Sequence, residues 1–242
     1  MTKAETAWLA QAERQGKELQ GSAKALGDGS RIAVVGAGPA GSMFSYFFLS
    51  MADSVGLDVG VDIYEPRSFC HRGPAGCNHC GGIVSESLVQ RLATEGIRLP
   101  DDVVQRGIES YTLHMDVGDV EIATPLMEKR IAAIYRGNGP RESERLQTHS
   151  FDGYLLNLAL EKGARRIEQL VTDVQREEER MRVHCADLSK DSYDLVVLAT
   201  GVNSRLMEML EQESGEFRKP ERTKTFICEF NLGRAAIRET FG

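Results

Sequence analysis

The chain of 242 residues contains no run approaching the roughly 20 apolar residues that would cross a bilayer. Its most apolar stretch, residues 43–51, is short. Residues 1–30 carry both signs of charge and no apolar h-region, so no secretory leader is expected there. Cysteine is scarce and odd in number, five residues at uneven spacing, which argues against a disulfide framework and for a reducing, cytoplasmic setting. Positive charge is in deficit, 29 basic against 36 acidic residues for a formal charge of -7, so no surface for nucleic-acid phosphates is expected. The chain also lacks a G-x-S-x-G elbow and an H-E-x-x-H pair, which removes the main hydrolase readings. There is no internal repeat and no low-complexity segment.

An ordinary hydrophobic fraction, 41%, is enough to bury a core for one large domain or one and a half ordinary ones. Residues 4–26 place Trp8, Ala12, Leu19, Ala23 and Leu26 on one stripe and predict a helix, stopped by Gly27 to Ser30. A short β-branched run at 31–35 predicts a first strand, residues 39–54 a helix, and residues 59–64 a second strand. A glycine- and cysteine-rich loop fills 66–82, and Ser85 should cap a helix that Gly96 stops. Alternation through 107–136 predicts a β-meander inserted into the α/β pattern. A helix at 151–162 should be closed by Gly163, a hairpin should span 167–188, and 193–199 reads as a buried strand. A last strand at 226–232 and a helix starting near Arg234 complete the expectation. Isolated His114, His149 and His184 are read as structural.

The densest chemical signal is Gly36-Ala37-Gly38-Pro39-Ala40-Gly41 between the first strand and its helix. Gly36 permits the tight turn, Gly38 admits a pyrophosphate against the backbone, and Gly41 lets helix and sheet pack closely. The helix would aim free N–H groups and its positive dipole end at that pyrophosphate. Pro39 fits a first-turn position that has no N–H partner. Glu65 ends the second strand, where a carboxylate can accept from the hydroxyls of an adenosine ribose and would repel a 2′-phosphate. The order strand, glycine turn, helix, strand, acid specifies a site for FAD or NAD.

Asp194-Leu-Val-Val-Leu-Ala-Thr200-Gly201-Val-Asn203-Ser204-Arg205 resembles the second conserved segment of flavoproteins related to p-hydroxybenzoate hydroxylase and geranylgeranyl reductase. Phe151, Asp152 and Leu155, then Gly163-Ala164, are similar to that family's linker, although Thr148 stands where a basic residue is frequent. Cys80-Gly81-Gly82 before a capped helix is similar to the flavin-facing loop of the geranylgeranyl-reductase branch. The resemblance spans nearly residues 31–242. It implies FAD as cofactor, with Thr200 and Gly201 near the flavin pyrophosphate, Gly81 and Gly82 near the isoalloxazine, and the backbone of Val174 near adenine.

The same resemblance implies an α/β, Rossmann-like FAD/NAD(P)-binding domain at 31–225 with a small β-sheet insertion at about 107–136. A helical extension precedes it at 1–30, and 226–242 would begin a substrate domain. The ribityl Gly-Asp motif of the family is not found, so the chain resembles the N-terminal portion of a longer enzyme that alone would hold FAD loosely. The implied activity is oxidoreduction of C=C bonds in an apolar, isoprenoid-like substrate, with NAD(P)H as donor and peripheral membrane contact through a lipid substrate. An FAD-dependent aromatic monooxygenase and a non-catalytic dinucleotide-binding module are the alternatives. No acid or base stands out; Cys80 is the nearest catalytic candidate.

Cys70, His71, Cys77, His79 and Cys80 crowd one loop. They admit a structural zinc, a redox dithiol before a helix, or unpaired thiols in a flavin-facing loop. Only one C-x-x-C is present, so no metal site is assigned. Metal analysis is expected to find no stoichiometric zinc; about one zinc per chain, lost together with the fold on chelation, would overturn this.

Overall fold

The computed structural model describes residues 25–67, 69, 82–108, 110–123, 131–134, 136, 150–214, 217–223 and 232–241. The expected N-terminal helix, the Cys70–Cys80 loop with Gly81, and most of the last predicted strand lie outside the described residues.

The centre is a four-stranded parallel sheet in the order β12 (Leu195–Leu198), β1 (Ser30–Val35), β2 (Val59–Tyr64), β8 (Arg165–Ile167). Ile32, Ala33 and Val34 of β1 have no exposed surface, as a central strand covered on both faces requires. The chain steps outward from β1 to β2 to β8, then returns to lay β12 on the other side of β1. The reversal between β1 and β12 is a topological switch point, where open α/β sheets form their ligand crevice at the carboxyl ends of the strands.

Two helices cover one face, α1 (Pro39–Val55) and α3 (Phe151–Glu161). α1 buries Gly41, Ser42, Ser45, Leu49 and Ala52, a stripe at helical spacing. The buried hydroxyls of Ser42 and Ser45 are satisfied by the carbonyls of Ala37 and Gly41, at 2.9 and 2.8 Å. Gly56, at φ 70°, ends α1, and the N–H of Leu57 reaches back to the Ala52 carbonyl at 2.9 Å. The Ser150 hydroxyl caps α3 by accepting from Gly153 N at 3.0 Å. Ile32, Val34, Val61, Ile63, Leu156 and Ala159 form the core between helices and sheet. At roughly 1.5–3 kcal/mol per buried aliphatic side chain, this core is the main source of stability on that face.

The other face is covered by an antiparallel meander, β9 (Val171–Glu177), β10 (Arg180–Cys185) and β11 (Lys190–Tyr193). The expected 167–188 hairpin is present as β9 and β10, paired antiparallel, with β11 added beyond it as a third strand; only Ile167 belongs to the parallel sheet instead. A three-residue edge strand with two arginines has too little apolar content to announce itself. The predicted 193–199 strand is likewise divided: Tyr193 closes β11, and β12 begins at Leu195. Asp194 makes the corner, with its N–H donating to the Arg31 carbonyl (2.8 Å) and its carboxylate accepting from Arg31 N (2.9 Å).

The insertion is larger than 107–136. β3 (Ile83–Ser85), β7 (Ile131–Ile134) and β4 (Val104–Ile108) form one antiparallel sheet, while β5 (Ser110–Met115) and β6 (Gly118–Ala123) form a separate hairpin. Three residues at β3 were too few to show alternation. α2 (Glu86–Thr94) follows with the predicted Ser85 cap, which accepts from Leu88 N at 3.3 Å. Leu92, Ile97, Val103, Ile134, Phe151 and Leu155 join the insertion to the helical face. α4 (Arg205–Ser214) and α5 (Gly233–Phe241) complete the described elements. Among the described residues no helix is long and apolar enough to cross a membrane.

Meander and sheet are joined by a polar knot. Asp62, 7% exposed, accepts from Tyr193 Oη (2.8 Å), from Arg165 Nε (2.9 Å) and from an Arg31 terminal nitrogen (3.1 Å). The Tyr64 and Tyr193 hydroxyls lie 2.7 Å apart. Burial opposes ionisation of Asp62, but the donors from Arg165, Tyr193 and Arg31 outweigh it and hold the carboxyl below its ordinary value. Burial pushes the Tyr64 phenol up to about 12, and burial together with its bonds to Tyr64 and Asp62 raises Tyr193 as well.

Because the folded-state value of Asp62 is depressed, its contribution to stability is present above about pH 4 and is lost as pH falls through the folded value. Asp62→Asn is expected to cost roughly 1–3 kcal/mol at pH 7, the range for hydrogen bonds to a charged group. The larger cost of splitting a fully buried pair does not apply, since Arg31 and Arg165 reach solvent. Urea unfolding at pH 7 and pH 3 checks this: the gap between wild type and Asp62→Asn should narrow at pH 3.

Candidate functional site

Three strand ends meet at the switch point. Gly36 N donates to the Tyr64 carbonyl and Ala199 N to the Val35 carbonyl, both at 2.9 Å. These bonds bring the Gly36–Gly41 turn against Ala199, Thr200 and Gly201, segments that are about 160 residues apart in sequence. Gly36 has φ 102°, and a Cβ there would stand 2.5 Å from the Ala199 carbonyl oxygen and 3.3 Å from Thr200 Cα. A Cβ on Gly41 would collide with the Gly36 carbonyl. Both glycines are therefore required by the protein's own packing.

Gly38 is different. Its backbone is extended (φ -62°, ψ -179°), and a Cβ would meet no atom within 4 Å. Packing does not explain a glycine here. Gly38 is also the N-cap of α1, with no side-chain hydrogen bond closing the helix end, Pro39 in the first turn and no acidic residue there. The amide groups of such a first turn have no intrahelical partner. An uncapped helix end facing an open glycine, beside Ala40, which is exposed, suits an anion. This geometry fits the diphosphate of a dinucleotide.

Glu65 lies at the same end, 3% exposed, with its N–H held by the Ile167 carbonyl at 3.0 Å. Its carboxylate accepts from Ala37 N at 3.2 Å, which ties it to the glycine turn 28 residues away in sequence. Arg67 also bonds it, from its backbone N–H and Nε (both 3.0 Å) and from a terminal nitrogen (3.3 Å). Sequence reasoning did not single out Arg67; an arginine two residues past Glu65 was the available signal. Phe69 is buried at a left-handed φ of 54°, and its carbonyl accepts from the Ser150 hydroxyl at 2.9 Å.

The structure thus brings Gly36, Gly38, Pro39, Ala40, Gly41, Glu65, Thr200 and Gly201 together at the carboxyl ends of β1, β2 and β12. Gly82 lies at the insertion sheet. It has φ 72°, a Cβ would run into the Ile134 carbonyl, and its own carbonyl accepts from Ile134 N at 2.6 Å. Contact with β7 already accounts for that glycine. Val174 sits on β9, the edge strand of the meander, with its N–H on Asp173 Oδ1 at 2.8 Å. Cys80 and Gly81 are outside the described residues. Asp152, 1% exposed, takes a forked bond from Arg136 at 2.7 and 2.6 Å, joining α3 to the insertion. Among the described residues no group of three or more His, Cys, Asp or Glu could hold a metal ion.

The glycines separate by role. Gly36→Ala and Gly41→Ala should each destabilise the fold by roughly 1–3 kcal/mol through overpacking. Gly38→Val should leave the melting temperature nearly unchanged yet weaken dinucleotide binding roughly tenfold or more, about 1.4 kcal/mol. Thermal melts beside nucleotide titrations distinguish the two classes; loss of stability in Gly38→Val without loss of binding would contradict the assignment.

No protein-family model matches the chain, and no curated protein matches it in sequence. Solved structures do. The flavin-dependent brominase Bmp2 is 18% identical over 76% of this chain, with a TM-score of 0.51. The halogenase PltM, in complex with phloroglucinol and FAD, is 13% identical over 75% of this chain, also at 0.51. This chain spans 40% and 36% of those two proteins' lengths. The likeness does not single out the geranylgeranyl-reductase branch. At these identities it carries the architecture alone: the chain has the mixed α/β, Rossmann-like fold of FAD-binding flavoenzymes.

Proposed function

We propose that this chain is the dinucleotide-binding portion of an FAD-dependent oxidoreductase and that the crevice between β1 and β12 holds the ADP half of FAD. The observation that carries the reading is Gly38: an open, extended glycine capping an uncapped helix end, at the switch point of the sheet. In this reading the first-turn amides of α1 bind the diphosphate, Glu65 orients the adenosine ribose, and the Thr200-Gly201 backbone closes the opposite wall. Gly201, at φ 73° and exposed, lets that backbone turn without a side chain between it and a ligand. Bound FAD would supply the redox chemistry; the chain's residues bind it, orient it and keep water from its diphosphate.

The finer reading is reduction of C=C bonds in an apolar, isoprenoid-like substrate, with NAD(P)H as donor. Its support is the resemblance of the Asp194–Arg205 segment and of Cys80-Gly81-Gly82 to geranylgeranyl reductases. A flavin-dependent aromatic monooxygenase is the second reading, resting on the same segment's resemblance to p-hydroxybenzoate hydroxylase.

Titration of the purified chain with FAD, NAD and ADP, read by calorimetry and flavin absorbance, tests the cofactor. FAD and ADP are expected to compete for one site. A protein that binds NAD but neither FAD nor ADP competitively would overturn the flavin reading. Oxygen-coupled NADPH consumption by the FAD-loaded protein would favour the monooxygenase, and its absence the reductase.

A further inference from the structure

A carboxylate offers about four lone-pair positions to donors, and Glu65 meets four. They are the N–H of Ala37, the N–H of Arg67, the Arg67 Nε and an Arg67 terminal nitrogen. A ribose diol brings two hydroxyl donors, and a saturated carboxylate cannot accept them until two present donors leave. The two backbone donors are fixed by the glycine turn and by the chain leaving β2. The other two belong to one guanidinium on a side chain 46% exposed. That guanidinium lies 5.2 Å from the centre of the Phe69 ring, a cation–π contact that gives it an attachment besides Glu65.

We propose that Arg67 sets the affinity of the adenosine subsite: its guanidinium occupies the positions of the ribose hydroxyls on Glu65, and an adenine dinucleotide binds by displacing it. The proposal rests on the dinucleotide reading above. With the site empty, Arg67 compensates a carboxylate that would otherwise be buried with only two amide donors. With the site filled, the ribose hydroxyls take over. Binding therefore works against an internal ion pair, and the half-exposed guanidinium lets solvent screen that pair, so removing it should tighten binding only modestly. The pair also compresses discrimination between sugars. A 2′-deoxyribose displaces less of it, which offsets part of the hydroxyl contact that the deoxy sugar lacks.

The test uses the full chain, with ADP and 2′-deoxy-ADP as calorimetric probes. Arg67→Met, of similar length and uncharged, should bind ADP roughly 1.5- to fivefold tighter than wild type. Its preference for ADP over 2′-deoxy-ADP should widen. On a Glu65→Gln background the same Arg67→Met change should have no effect on ADP affinity, because the pair is already lost. ADP affinity that is unchanged or weakened in Arg67→Met overturns the proposal. Should thermal melting show Arg67→Met to be unfolded, Arg67→Lys serves instead. Lysine keeps the charge without the fork, so its ADP affinity should rise above wild type by less than twofold; no rise overturns the proposal. If ADP binds to none of these proteins, the dinucleotide reading falls and this proposal with it.

Discussion

Gly36 and Gly41 leave no room for side chains, and the geometry of the crevice follows from that. The carbonyl of Gly36 lies where a Cβ of Gly41 would be, and the Ala199 carbonyl lies where a Cβ of Gly36 would be. Backbone thus packs on backbone at the point where β1, α1 and β12 converge. Helix α1 can press its small-residue stripe on the sheet only because of this contact, and only then does its N-terminus point along the carboxyl edge of the strands. A larger residue at either position would lift the helix away from the edge and lose the proposed anion site together with the packing.

The two faces of the sheet are held by different forces. On the helical face, aliphatic side chains from β1 and β2 meet those of α3, and burial is non-directional, so that face tolerates some rearrangement. On the meander face the Asp62–Tyr193–Tyr64 cluster, with Arg31 and Arg165, demands specific geometry. A buried carboxylate is costly unless its donors are in place. The cluster therefore fixes how β11 lies over β2. Since Tyr64 also accepts from Gly36 through its carbonyl, the register of the meander is linked to the glycine turn through a single residue.

At the carboxyl end of β2 the charge arithmetic changes once the fold is known. Glu65 alone would present a bare negative charge that rejects a phosphorylated ribose. Paired with Arg67, the end is close to neutral, and its hydrogen-bonding capacity is already in use. Selection against a 2′-phosphate by repulsion, which the strand-end acid suggested, is weakened accordingly.

Periodicity and spacing alone determined the βαβ unit, its glycine turn, the cap at Ser85 and the positive-φ stops at Gly96 and Gly163, because each is a local matter of dihedral angles and of groups within a few residues. The resemblance placed Thr200 and Gly201 near the same pyrophosphate as the glycine turn, but the packing of Gly36 on Ala199 and Thr200 comes from the sheet order, which no local signal contains. The short strands β3 and β8 were illegible because three residues carry no period; they exist through the partners β7 and β2. The roles of Gly82 and Arg67 were also tertiary decisions. A glycine looks the same whether it makes room for a ligand or for Ile134, and an arginine two residues from an acid gives no sign that it will saturate it. Local sequence set the turns and helix ends; long-range backbone contact decided which of them share a crevice and which polar groups there are already satisfied.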